Sequence, residues 1–374
     1  MKQSYVSSMS LTEFGLWKEL ERKRAVTGFG FEITERCNLN CRHCYINRPE
    51  SDPEAREAEL GLEEIKRIVD QAVSMGALWC LLTGGEPLLR KDFFEVYSYL
   101  KKKGLLVSIY TNATLITQKH LRLFKDYPPR DIEITVYGAT EKTYETVTRV
   151  KGSYRAFRRG LSRLVQNGIK IRLKAMALRS NVHELGQIAD YCKKHTKDYF
   201  RFDPFLTLRY DGDPARNREI IGERLAPAEI AALEREDPER FQALLKQCDR
   251  HIVPEFSDAA SPLIFRCGAG KNSFSLSADG RFKLCSSLCH PECVYDLRKG
   301  SLSEAWHTFI PKIRGYSSGR QEYREKCGTC SLLDLCMWCP ANAHLETGSL
   351  DAPVDYFCHV ARARADAIKG LDIL

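Results

Sequence analysis

The stretch Glu35-Arg36-Cys37-Asn38-Leu39-Asn40-Cys41-Arg42-His43-Cys44-Tyr45 decides how this chain is read. Its three cysteines are spaced C-x3-C-x2-C, directly after an apolar, strand-like run at residues 29–34. A four-iron cluster ordinarily takes four thiolates. Three in one short loop leave one iron without a protein ligand and open to a small molecule. Zinc is the plain alternative, because zinc sites are usually closed by four ligands and His43 could be offered as the fourth.

Working outward from this loop, strand-like and helix-like segments alternate between residues 28 and 206. Strands are expected at residues 29–34, 78–83, 105–111, 131–137, 170–178 and 199–205. Ile65, Ile68, Val69, Ala72 and Val73 recur at the spacing of an amphipathic helix, and further helices are expected at 93–102, 153–166 and 182–194. Gly76, Gly104 and Gly168 fall just beyond three of these helices, where a left-handed cap needs glycine. Such alternation implies a parallel sheet with right-handed crossovers. Parallel β/α barrels place their chemistry on the loops after the strands' C-terminal ends. The cysteine loop, Gly84-Gly85-Glu86-Pro87, Thr111-Asn112 and the stretch from Thr135 to Gly138 each end a successive strand. All four are therefore expected at one mouth.

Beyond the barrel, residues 207–260 read as a charged helical bridge that opens on the turn signal Asp211-Gly212-Asp213-Pro214. From about Ser261 the composition changes, and ten of the 15 cysteines lie beyond that point or just before it. The strand-turn-strand pattern around Ala278-Asp279-Gly280 fits a short hairpin that brings Cys267 and Cys285 together. Cys80, Cys192 and Cys248 fall on apolar or helical stretches and read as bystander thiols.

At 374 residues the chain can bury a sizeable core in one large domain plus a smaller one. Hydrophobic content of 43% and charged content of 28% are ordinary for a soluble globular protein. No run of apolar residues is long enough to span a membrane, and the first twenty residues lack a signal-peptide core. A cytoplasmic protein is expected, where 15 cysteines point to metal or cluster binding and not to disulfides. The net charge of +8 is modest, and basic runs such as Lys101-Lys102-Lys103 read as solvated helix faces. No nucleic-acid partner is expected.

The C-x3-C-x2-C loop, with Gly84-Gly85-Glu86-Pro87 after the next strand, resembles the radical S-adenosylmethionine (SAM) superfamily. That resemblance implies an α/β fold, a partial (β/α)6 TIM-like barrel. It also implies an enzyme whose four-iron cluster, on Cys37, Cys41 and Cys44, cleaves SAM reductively to a 5′-deoxyadenosyl radical. By the same resemblance His43 occupies a place usually aromatic, and Gly84, Gly85 and Glu86 lie against the methionyl amino group, with Glu86 as anionic acceptor. Thr111 and Asn112 match the polar pair near the ribose and methionyl groups, Thr135 the usual serine of strand four, and Arg149 a basic partner for the SAM carboxylate. Tyr137-Gly138 stands where many relatives carry Asp-Gly, which removes any role for that aspartate.

The C-terminal cysteines resemble the SPASM extension of these enzymes, which holds two auxiliary four-iron clusters. The implied ligands are Cys267, Cys285 and Cys339 for the first and Cys327, Cys330, Cys336 and Cys358 for the second. Cys289 or Cys293 is available to complete the first. A zinc ribbon over residues 327–339 is the alternative, given its paired C-x2-C spacing. The division implied is an N-terminal extension at 1–27, the barrel at 28–206, the bridge at 207–260 and the SPASM domain at 261–374.

The function expected from this is modification of a ribosomally made peptide or protein side chain by cross-linking, oxidation or epimerisation. A relative acting in haem or tetrapyrrole synthesis is the alternative enzyme, and an iron–sulfur electron carrier or zinc-stabilised binding protein the alternative of another class. Sulfatase maturation is disfavoured, because Ser286 stands where that group carries an acidic residue. An external electron donor such as flavodoxin or ferredoxin is implied. The 27 residues before the barrel are short for a peptide-recognition module, so a separate recognition protein is also expected.

Overall fold

A computed structural model describes residues 19–369 apart from 21, 198 and 249–262. Six parallel strands lie in sequence order, β1 (Gly28–Glu32), β2 (Trp79–Thr83), β3 (Leu106–Tyr110), β4 (Asp131–Thr135), β5 (Ile171–Met176) and β6 (Arg201–Asp203). Each neighbouring pair is parallel and the order never reverses, so right-handed crossovers place the connecting helices over one face. These helices are α1 (Leu62–Ser74), α2 (Phe93–Lys102), α3 (Gln118–Asp126), α4 (Glu141–Thr148), α5 (Ser153–Gln166) and α6 (Leu185–His195).

The apolar stripe of α1 explains its place, since Ile65, Ile68, Val69 and Ala72 are all buried against the sheet. Along β4 and β5, Ile132, Ile134, Leu173 and Ala175 point into the core and leave Glu133, Thr135, Lys174 and Met176 for the inner face. The helices α3 and α4 were not apparent from the sequence. Helix α4 reads EKTYETVT, rich in threonine with little apolar periodicity. It is started by the Thr140 hydroxyl, which accepts from Thr143 N.

The cysteine-rich region is joined to the barrel through the sheet. Strand β7 (Ser273–Leu276) pairs in parallel with β1 from Gly28↔Ser273 to Phe31↔Leu276. It is followed by β8 (Arg281–Lys283) and β9 (Val294–Asp296), both antiparallel, completing nine strands in the order β9-β8-β7-β1-β2-β3-β4-β5-β6. Phe29 and Phe274 stack at 5.4 Å across the junction, and Phe274 also packs on Phe282 and Trp306. Full burial of one such ring contributes about 2–3 kcal/mol.

The bridge comprises α7 (Pro214–Glu223), α8 (Pro227–Glu236) and α9 (Pro238–Cys248), and its last part, 249–260, lies outside the described residues. So does most of the expected 1–27 extension. Helix α8 packs on the C-terminal helix α11 (Asp355–Lys369), preceded by α10 (Pro340–Thr347). There Arg364 holds Glu234 through two bonds of 2.7 Å. Among the described residues no helix is long and apolar enough to cross a membrane.

Candidate active site

The loops after β1, β2, β3 and β4 converge on a cavity of about 280 Å³ at the strands' C-terminal ends. Cys37, Cys41 and Cys44 line it, with His43, Gly84, Gly85, Thr111, Asn112 and Thr135. The cysteine loop is held from below. Leu39 N and Asn47 N donate to the sulfurs of Cys37 and Cys44, each at 3.4 Å. Arg216 donates to Cys41 O at 2.8 Å, and Arg209 binds the carbonyl and side-chain oxygens of Asn47 at 3.2 and 3.1 Å. Burial pushes the Cys37 and Cys41 thiols up, and each is raised further by neighbouring thiolates of the loop. A cation placed among them reverses that penalty, since a metal binds the thiolate and displaces the proton.

Gly84 and Gly85 are required by the chain's own backbone. Gly84 has φ +135°, and a Cβ there would stand 2.1 Å from Thr34 O. At Gly85 a Cβ would stand 2.3 Å from Arg36 O. Gly85 N donates to Thr34 O at 2.7 Å and Glu86 N to Arg36 O at 2.9 Å, so the glycine turn is laced to the start of the cysteine loop.

Two expected SAM contacts are placed differently. The Glu86 carboxylate, assigned by resemblance to the ligand's ammonium, is fully buried and does not line the cavity. Its oxygens accept from Thr111 Oγ1 at 2.7 Å, Asn112 N at 2.8 Å and Leu88 N at 3.1 Å. Burial raises this carboxyl and the three donors draw it partly back, leaving it at about 7. Glu86 thus positions Thr111 and Asn112. Replacing Glu86 by Ala is expected to lower stability by about 3 kcal/mol, because buried donors lose their acceptor, as read from the urea midpoint. Arg149, assigned to the SAM carboxylate, caps α4 with φ +58° and pairs with Glu219 at 2.8 Å, also away from the cavity. The left-handed cap turns the side chain toward α7.

The Asn112 side chain reaches the cysteine loop, donating to Asn38 Oδ1 at 2.9 Å and lying 3.9 Å from Cys37 Sγ. His43 packs against Tyr137 at 5.2 Å, and its buried Nδ1 has no hydrogen-bond partner. Burial holds its imidazole down near about 4, so the ring is neutral at pH 7. The sequence reading missed Glu133 and Lys174, which line the same cavity. Lys174 pairs with Glu133 at 2.6 Å and lies 4.7 Å over the Tyr110 ring, while Arg201 holds Glu133 from the other side at 2.5 Å. Charged residues alternating with Ile132, Ile134 and Leu173 were the signal, for inward charges in a barrel strand mark a cavity.

The remaining cysteines fall into two groups. Cys285 lies within electrostatic reach of Cys339 and Cys267, and Cys339 of Cys267. Cys327 neighbours Cys358, Cys336 and Cys330. Of the two extra thiols, Cys293 stands near Cys285, whereas Cys289 turns toward Lys283 and Glu32 in a separate cavity. Cys80 and Cys192 are buried in the core, and the side chain of Cys248 lies outside the described residues. None of the 14 described cysteines is joined in a disulfide.

A family model described as the Radical SAM superfamily matches residues 31–192. The chain is 34% identical to the Fe-coproporphyrin III synthase of Methanosarcina barkeri over 329 residues, covering 82% of this chain and 81% of that protein. This chain belongs to the radical SAM superfamily. It is also 27% identical to the antilisterial bacteriocin subtilosin biosynthesis protein AlbA of Bacillus subtilis, over 82% of this chain and 67% of AlbA. Among solved structures, Streptococcus suis SuiB bound to its precursor peptide SuiA superposes with a TM-score of 0.67 at 17% identity, covering 91% of this chain and 78% of SuiB. Over that span the chain shares the fold of SuiB.

Proposed function

We propose that this radical SAM enzyme modifies a side chain of a ribosomally made peptide, and that Cys37, Cys41 and Cys44 hold its SAM-binding cluster. The observation that carries the cluster assignment is the meeting of these three thiols with Gly84, Gly85, Thr111, Asn112 and Thr135 around one cavity. Bound together there, a [4Fe–4S] cluster and SAM supply a 5′-deoxyadenosyl radical. The residues' own tasks are narrower. Asn112 and the Leu39 and Asn47 amides orient sulfurs, His43 offers a free ring nitrogen, and the Glu133–Lys174 pair keeps charge available beside the substrate space.

The peptide substrate is supported by the likeness to AlbA, a bacteriocin biosynthesis protein, and to SuiB, solved with a precursor peptide. A haem-pathway substrate is the second reading, favoured by the 34% identity to Fe-coproporphyrin III synthase. The cavity argues against it in part, because Lys174 is held by Glu133 and is not free to meet an anionic tetrapyrrole. The deciding experiment incubates the reconstituted enzyme with SAM and dithionite, offering Fe-coproporphyrin III in one arm and short peptides encoded beside its gene in the other. Mass change in a peptide supports the reading, and conversion of the porphyrin alone overturns it.

The two downstream groups, Cys267/Cys285/Cys339 with Cys293 and Cys327/Cys330/Cys336/Cys358, fit two auxiliary clusters. Anaerobically reconstituted protein is expected to hold about twelve irons, measured by iron and zinc analysis together. Stoichiometric zinc with about four irons would make the C-terminal region a zinc module. An external donor of the flavodoxin or ferredoxin class, a separate peptide-recognition protein and a cytoplasmic location complete the proposal.

A further inference from the structure

A second cavity, of about 270 Å³, lies where β1 leaves the barrel and the hairpin of β7 and β8 meets it. Tyr45 and Ile46 line both this cavity and the one that holds the three thiols, so the two adjoin. Tyr45 packs on Tyr210 at 4.7 Å, forming part of the wall between them.

Glu32, at the end of β1, lines the second cavity with 2% of its surface exposed, and neither carboxylate oxygen has a hydrogen-bond partner. Lys283 stands 3.5 Å away, an ion pair without a hydrogen bond. Its ammonium donates to Ser286 O at 2.9 Å and lies 5.0 Å over the Tyr210 ring. A buried carboxylate without donors is costly, and such groups are ordinarily satisfied by a partner. The lining carries four acidic residues (Glu32, Glu35, Asp211, Asp279) against three basic ones (Arg209, Arg281, Lys283), one more acidic side chain than basic.

We propose that this cavity is a subsite for a basic side chain, lysine or arginine, of the peptide substrate, received by Glu32 beside the residue that reacts in the adjoining cavity. The inference rests on the peptide reading above. An ammonium or guanidinium supplies the donors that Glu32 lacks and a counter-charge for the one acidic side chain of the lining that has no basic partner there. An acidic side chain would meet Glu32 with no donor, and an apolar one would leave it unsatisfied. The subsite is built from both halves of the chain, with Glu32 from the barrel and Lys283 and Cys289 from the cysteine-rich region.

Cys289 is a reporter inside the cavity, 3.9 Å from Lys283 Nζ. The holoenzyme is treated anaerobically with cationic 2-aminoethyl methanethiosulfonate or neutral methyl methanethiosulfonate, each forming a mixed disulfide and releasing methanesulfinate. Labelling of Cys289 is followed by peptide mass spectrometry. Relative to a free thiol in solution, the cationic reagent is expected to be favoured at Cys289 by at least about tenfold. Glu32→Gln should bring that preference close to one while Tm shows the variant folded. Should that variant not fold, protection of the wild-type enzyme decides. n-Butylguanidinium is expected to slow labelling by the neutral reagent, and n-pentanol at the same concentration is not. Equal preference in wild type and Glu32→Gln, equal protection by both additives, or no labelling of Cys289 overturns the proposal. Because neither readout uses a peptide, failure of the peptide reading would leave these results intact and show only in the product assay.

Discussion

Replacing Cys37, Cys41 and Cys44 together by alanine is expected to remove about four irons of roughly twelve and to abolish 5′-deoxyadenosine release. The expectation follows from the loop itself. Its three sulfurs line one cavity, and no other described cysteine lines it. The supports of that loop are mostly main-chain: Gly85 N on Thr34 O, Arg216 on Cys41 O and Arg209 on the Asn47 carbonyl. Of the main-chain supports only the Leu39 and Asn47 amides bond cysteine sulfurs, at 3.4 Å, so the variant loses two long N–H···S bonds, should fold and should keep the remaining irons. Iron analysis and chromatography of the SAM reaction check both halves of the statement. Deoxyadenosine release from a folded triple variant would show that the cavity's thiols are not the cluster's ligands.

The parts of this arrangement that were legible in the sequence share a cause. Barrel strands alternate with period two and crossover helices with the helical period, and α2 and α5 appear at residues 93–102 and 153–166 as the pattern implies. Loops that end successive parallel strands must share one mouth, so the meeting of Cys37, Gly84, Thr111 and Thr135 needed only strand order. What was hidden depends on partners remote in sequence or on side-chain direction. The pairing of Gly28 with Ser273 joins segments more than two hundred residues apart, and no local pattern encodes it. Glu86 looked like a ligand contact because its motif places it at the mouth, yet three donors on Thr111, Asn112 and Leu88 turn it inward. Arg149 was diverted in the same way by Glu219, which lies on a bridge helix. The four-residue difference between Cys289 and Cys293 also exceeds what spacing conveys, since one faces Cys285 and the other Lys283.

The junction of the two halves gives the other large effect. The double replacement Cys285→Ala with Cys330→Ala is expected to leave SAM cleavage measurable while reducing modified peptide at least about 100-fold. Every side chain around the SAM cavity comes from residues 37–207, whereas both replaced thiols lie beyond it. Cleavage therefore retains its machinery. Completing a cross-linked or oxidised product requires removal of one further electron from the substrate, and an auxiliary cluster on the downstream thiols would supply the acceptor. The structure also shows how a purely structural role would look. Cys285 follows β8, β8 pairs with β7, and β7 pairs with β1, the strand that carries the cysteine loop. If the downstream thiols served only to brace the hairpin, losing them would loosen β1 and both activities would fall together. A thermal melt separates the cases, because bracing lost through β7 must lower Tm, whereas loss of an electron acceptor leaves the sheet intact. A folded double variant that makes deoxyadenosine but no altered peptide supports the division of labour. Normal peptide product from that variant, or loss of both activities at unchanged Tm, overturns it.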